Sequence, residues 1–321
     1  MKTALTRLLA YGTSICGAML LASPAMAADA FPTKPIRIIV CTVPGGATDV
    51  TTRLVAQKMS EKLGQQIIVE NKPGGDTLLG ISHVKEQPAD GYTVLAQSLN
   101  FSTLPYIKNN PGYSPSDFIG IGNMTTIPFI MIVGGNQPDK TLNDYVARAK
   151  KERLSYGHGG VAGAPQIAAE LFLKSSGVEE ISVPYKGNGA VMPDIMAGRV
   201  SMFFDAYVSS GEFIRSGKMR ALAIAASSRI APLPDVPTFK ELGQDFSYSV
   251  WLGLLARKET PPEVVSKLSE ALRGALQELG PRFRNDGGDP TFMTPQEFTA
   301  YLAKEYVEMG KLATQLKWEK Q

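Results

Sequence analysis

The sequence predicts a two-domain α/β protein, each domain a mainly parallel sheet flanked by helices, with two extended crossover segments joining them. Strand-like and helix-like periods alternate along the chain, a glycine-rich turn between strand and helix occurs twice about one domain apart, and two long apolar runs interrupt the alternation. The chain has 321 residues, enough for about two domains of ordinary size even without its first segment.

That first segment carries Lys2 and Arg7, an apolar run over residues 8–21, and Ala25-Met26-Ala27, a small-x-small cleavage site. The pattern predicts a secretory signal peptide over residues 1–27, too short and too weakly flanked to span a membrane, and a mature chain starting at Ala28 outside the cytoplasm. No later segment approaches the roughly 18 consecutive apolar residues of a spanning helix. Cys16 leaves with the leader and Cys41 remains alone, so no disulfide within the mature chain is expected. With Lys2 and Arg7 set aside, the 33 basic residues nearly balance the 30 acidic ones. No basic stripe interleaved with aromatics points to nucleic acid.

Residues 36–40 (Ile-Arg-Ile-Ile-Val) read as a buried strand, and residues 50–63 place Val50, Leu54, Val55, Met59 and Leu63 at helical spacing. Strands follow at 66–70 and 92–97, with a helix over 78–87 between them. The proline-containing stretch 98–117 reads as loop, and the apolar run 118–133, broken by Pro128, is longer than an ordinary strand and suits a crossing between domains. The alternation then restarts. Helix is predicted over 142–151, a short strand over 154–156, and a helix over 166–175 with Pro165 at its first turn and Gly177 past its end. Strands at 180–183, 200–204 and 221–226 alternate with helices at 190–197 and 209–216, residues 247–256 form the second crossing, and helices over 262–279 and 295–316 close the chain. The domains are accordingly expected at 28–125 with 250–321, and at 126–249, with a ligand cleft between them.

Chemistry is expected at the two glycine turns. In Val43-Pro44-Gly45-Gly46-Ala47-Thr48 the glycines let a ligand approach the main chain, and the helix N-terminus that follows supplies unpaired N–H groups and partial positive charge. The same stretch could equally be a tight turn without a ligand. It lacks the spacing of nucleotide-binding loops. Asp49, four residues before Arg53, either makes a dipole contact and an intrahelical pair or braces the loop. The second turn, His158-Gly159-Gly160-Val161-Ala162-Gly163-Ala164, repeats the device, so two helix N-termini would meet one small molecule from opposite sides, a geometry suited to a dicarboxylate. His158 either donates to a ligand or bonds locally, Lys186 is an anion partner or a solvated lysine, and Asp205 is a ligand contact or a helix cap. Ser98 completes the candidate set, at the end of a strand facing the same cleft. No metal-ligand cluster, nucleophile elbow or catalytic triad is visible, and no cofactor is expected.

The succession Pro35-Ile36-Arg37-Ile38-Ile39-Val40, Pro44-Gly45-Gly46-Ala47-Thr48-Asp49, Val69-Glu70-Asn71-Lys72-Pro73-Gly74-Gly75, Ala89-Asp90-Gly91-Tyr92-Thr93, Val183-Pro184-Tyr185-Lys186-Gly187 and Leu233-Pro234-Asp235-Val236-Pro237-Thr238 resembles the Bug family, extracytoplasmic solute receptors of tripartite tricarboxylate transporters. The resemblance spans the mature chain. It implies a two-domain periplasmic binding protein fold, type II-like, acting as a monomer in the periplasm and delivering a small carboxylate to a membrane permease. It further implies that main-chain groups and ordered waters hold one carboxylate between residues 44–49 and 157–164. The chain departs from the family at Cys41-Thr42, at Asp76-Thr77-Leu78 where a glycine-rich continuation is common, and at His158 and Ala164-Pro165 where serines are usual. These departures suggest a dicarboxylate with a flat or apolar body, packed by Phe101, Tyr207 or Trp251. The competing reading is a secreted hydrolase or transferase acting on an anionic substrate in the same cleft.

Overall fold

The computed structural model describes residues 31–320, so the leader over 1–27 and the start at Ala28 lie outside the described residues. The chain runs β1 (Ile36–Val40), α1 (Ala47–Leu63), β2 (Ile67–Asn71), α2 (Leu78–Glu86), β3 (Thr93–Gln97), α3 (Asn100–Ile107) and β4 (Phe118–Gly134). It continues with α4 (Leu142–Ala149), β5 (Ser155–His158), α5 (Ala164–Ser176), β6 (Ile181–Pro184), α6 (Met192–Met196), β7 (Met202–Ala206), α7 (Tyr207–Arg215) and β8 (Met219–Ile224). Strand β9 (Ser249–Arg257) and the long helices α8 (Pro262–Asn285) and α9 (Pro295–Gln315) complete it.

The strands lie in the order β2-β1-β3-β9-β4-β7-β5-β6, and β8 also pairs with β4. Pairing is parallel within β2-β1-β3 and within β7-β5-β6, as expected where helices make the crossovers. Every ladder that involves β4 or β9 is antiparallel. The sheet is therefore mixed rather than mainly parallel, because the two crossing strands run through its middle against their neighbours.

Strand β4 carries the long apolar run unbroken. Its first part pairs with β9 from Phe118↔Arg257 to Pro128↔Ser249, and its second part pairs with β7 and β8. Pro128 has no N–H to give a ladder, and it falls where pairing passes from one set of partners to the other. Register shifts between Gly120 and Gly122 and between Asn123 and Thr125 bend the ribbon. The positions near 125 and 250, where a domain boundary is expected, lie inside β4 and at the start of β9.

The stretch 98–117 is not all loop, since α3 forms there with Pro105 inside it. Pro105 cannot donate to the Phe101 carbonyl one turn back, and Tyr113 Oη donates to that oxygen instead at 2.7 Å. Several other elements start or end differently from the periodicity. Helix α1 begins at Ala47, α5 at Ala164, and β5 runs through Gly157 and His158, which moves these residues out of loops. One core cluster gathers Ile39, Leu95, Phe101, Trp251 and Phe298, and another gathers Ile130, Val191, Phe203 and Ile224. Cys41 is buried with a free thiol, which burial pushes up to about 12, so it behaves as an apolar filler.

Candidate functional site

The carboxyl ends of β1, β3, β5 and β7 open onto one cleft of about 900 Å³, walled by α3, the N-termini of α1 and α5, the turn around Lys186, the middle of β4 and the first half of β9. Along the crossing strands Ile127 and Phe129 of β4, and Val250 and Leu252 of β9, face it with the strand period of two.

The first wall starts where β1 ends. Gly45 holds φ +87°, a left-handed conformation that glycine adopts without strain. Its N–H donates to Asp49 Oδ2 at 2.9 Å, while Arg53 Nε and Asn71 Nδ2 donate to Asp49 Oδ1 at 3.0 and 2.9 Å. Asn71 Nδ2 also donates to the Thr42 carbonyl at 3.0 Å. The buried Asp49 carboxylate thus ties the turn to α1 and β2. Burial raises its pKa, but the bonds from Arg53, Gly45 and Asn71 outweigh burial and hold it below the ordinary value. Such a group stabilises the fold above the unfolded-state pKa and loses that contribution as pH falls. Asp49→Ala is accordingly expected to cost about 2–3 kcal/mol in urea unfolding at neutral pH. The gap to the wild type should narrow below about pH 4, and a gap constant into acid would show that the carboxylate is not its source.

With Asp49 occupied behind the turn, the cleft side of α1 is left with backbone alone. Its N-cap is Gly46, without a side-chain cap, and among the described residues the N–H groups of Ala47 and Thr48 have no protein acceptor. Helix α5 repeats this arrangement with Gly163 as an N-cap lacking a side-chain bond and the Ala164 N–H unpaired.

His158 is a clip and not a cleft residue. Its ring is 2% exposed, with Nδ1 2.8 Å from the Gly160 carbonyl and Nε2 2.9 Å from Ser182 Oγ. A carbonyl only accepts, so Nδ1 carries the hydrogen and Nε2 accepts from Ser182. Burial lowers its pKa, which keeps the ring neutral. The clip holds the turn against the neighbouring one so closely that a Cβ on Gly159 would collide with Asn188. Ala162 is buried and its N–H donates to Gln166 Oε1 at 2.7 Å.

The cleft surface therefore brings together Val43, Gly45, Gly46, Ala47, Thr48, Ser98, Gly159, Gly160, Val161, Gly163, Ala164, Lys186 and Asp205. Pro44, Asp49, His158 and Ala162 are not on it, because the turns fold them outward or inward behind the exposed backbone. Asp205 is not a helix cap, since the N-cap of α7 is Ala206. It stands on β7 opposite Ile130, 2% exposed, and burial pushes its carboxyl up to about 7 against bonds from Ser209 and the Ala206 backbone. Lys186 makes no hydrogen bond or ion pair among the described residues.

Phe101, Tyr207 and Trp251 do not pack the cleft. All three are buried in the core, with Trp251 Nε1 donating to Glu305 and Tyr207 Oη accepting from Arg215 Nη1. The aromatic faces at the cleft are Phe129 and Phe213. The alternation along residues 127–129 of the crossing strand would have singled out Phe129, whereas Phe213 carries no sequence signal. Asn188, inside the Gly187-Asn188-Gly189 turn, and Ser209, four residues after Asp205, are further cleft residues legible only as spacing. Asp76 also lines the cleft, and with Thr77 it takes left-handed φ values of 54° and 82°, strained for non-glycine residues and costly for a β-branched one.

A family model described as the tripartite tricarboxylate transporter family receptor matches residues 51–317. A UPF0065 protein from Agrobacterium vitis, encoded in the TAR-I ttuE-ttuC' intergenic region, is 36% identical over 303 residues, covering 89% of this chain and 88% of its own. The periplasmic binding protein BugD superposes with a TM-score of 0.80 at 30% identity, covering 91% of this chain and 100% of its own. A Rhodopseudomonas palustris protein solved with adipate superposes with a TM-score of 0.84 at 27% identity, again over 91% of this chain and 100% of its own.

Proposed function

The chain belongs to the tripartite tricarboxylate transporter receptor family, and from that premise we propose that it is a periplasmic receptor that binds a small dicarboxylate and delivers it to a membrane permease. Membership makes it a solute receptor rather than an enzyme. The observation that carries the ligand class is the pair of glycine-capped helix N-termini, α1 and α5, opening onto one cleft with N–H groups free to bond. One carboxylate on such N–H groups needs no arginine, because the helix end supplies both donors and about half a positive charge. The apolar walls Ile127, Phe129, Val250 and Leu252 suit a methylene chain between two polar ends. The adipate-bound relative supports this class.

In this reading residues 126–249 form one jaw and the remainder of the mature chain the other, and the jaws close by bending of β4 and β9 where they cross. Thermal unfolding with succinate, malate and adipate tests it. A true ligand at a hundredfold excess over its Kd adds about 2.7 kcal/mol, and mass analysis should recover it unaltered. Altered ligand would return the enzyme reading, and no shift with any dicarboxylate would overturn the ligand class.

A further inference from the structure

We propose that Asp205 meets the bound carboxylate as a protonated acid, so that the receptor takes up its ligand together with a proton; this rests on the receptor reading above. The geometry buries this carboxyl on the cleft with no cation beside it among the described residues. Ser209 Oγ lies 2.6 Å from Asp205 Oδ2 and 3.0 Å from the Ala206 carbonyl. Ser209 Oγ donates in both contacts, so the polar partner of the Asp205 carboxyl is a neutral hydroxyl shared with a carbonyl, while the side chain itself is 2% exposed on the cleft.

The surroundings favour the protonated acid. On β4 the residue opposite Asp205 is Ile130, and on α7 its partner is Ser209. Strand β5 brings Tyr156, whose hydroxyl donates to Glu170, and the neutral His158, while Glu170 on α5 also accepts from Gln166. The other charged groups on the cleft are Lys186 and Asp76, the latter paired with Lys108 at 2.7 Å, and Arg215 at the far end of α7 is held by Glu212 and Tyr207. Among the described residues none of these cations bonds to the Asp205 carboxyl. An anion brought into the same cleft adds like-charge repulsion to burial, so it binds the neutral acid better than the carboxylate. By linkage the ligand then retains or draws in one proton.

Calorimetric titration of the mature protein with adipate, between about pH 6.5 and about pH 9 in two buffers of different ionisation enthalpy, reads this directly. The expected result is a proton uptake approaching one per adipate at alkaline pH, with affinity falling by up to about tenfold per pH unit there. Asp205→Asn keeps the shape and the neutrality, so its affinity should stay flat with pH. Buffer-independent heats for the wild type at alkaline pH would overturn the proposal even if the variant fails to fold, and a folded variant that keeps the wild-type pH profile would overturn it too. If adipate binds at no pH, and succinate and malate likewise fail, the receptor reading itself falls and takes this inference with it; binding without proton uptake defeats the inference alone.

Discussion

Gly46→Leu is expected to weaken adipate binding by about a hundredfold or more, a loss near 2.8 kcal/mol, while leaving the fold close to native. Gly46 has φ −74°, open to any residue, and a Cβ there would touch only the Val43 carbonyl oxygen at 3.8 Å. The backbone therefore accepts the side chain. What leucine fills is the space above the Ala47 and Thr48 N–H groups, where a carboxylate would sit. Replacing an N-cap glycine costs about 1 kcal/mol or less, so the unfolding midpoint should drop by only about 2–4 °C. Calorimetry with thermal melts separates the two effects. Unchanged affinity in the variant would place the ligand away from α1.

Trp251→Ala should behave in the opposite way. The indole is 1% exposed, lies edge-on to Phe298 with ring centroids 5.2 Å apart, and donates through Nε1 to Glu305 at 2.9 and 2.8 Å. Truncation leaves a large cavity and takes a donor from a buried carboxyl, which together cost about 3–5 kcal/mol. The unfolding midpoint should fall on the order of 10 °C. Affinity of the folded variant for adipate should stay within about threefold, because the ring touches no part of the cleft surface. The reverse pattern, an unshifted midpoint with binding lost, would put the indole against the ligand.

Trp251 also marks the boundary of what could be read from the chain. Helices, strands and the two glycine turns follow from local rules, and these placed β1, α1, α5 and their neighbours within a few residues. Depth is not local. Phe101, Tyr207 and Trp251 follow no local rule that tells a core wall from a cleft wall: Trp251 is set in the core by Glu305 and Phe298, distant in sequence, Phe101 by Tyr113 and Phe118, and Tyr207 is held by Arg215. His158 was ambiguous for the same reason, since its partner Ser182 comes from the next strand. Helix α3 was hidden by Pro105, whose missing bond is replaced by a tyrosine in the following turn. Parallel and antiparallel ladders cannot be told apart within one strand, so the direction of β4 and β9 relative to their neighbours had no signal in the apolar runs.

The antiparallel rung between Leu95 of β3 and Leu255 of β9 joins positions about 160 residues apart. Until the last quarter of the polypeptide is present, β3 carries an unmatched edge of backbone donors and acceptors, the kind of template on which partly made sheets associate wrongly. Pairing across such a span raises the contact order, and high contact order slows folding. The sheet is therefore completed only when β9 arrives, with α8 and α9 still to follow and cover it.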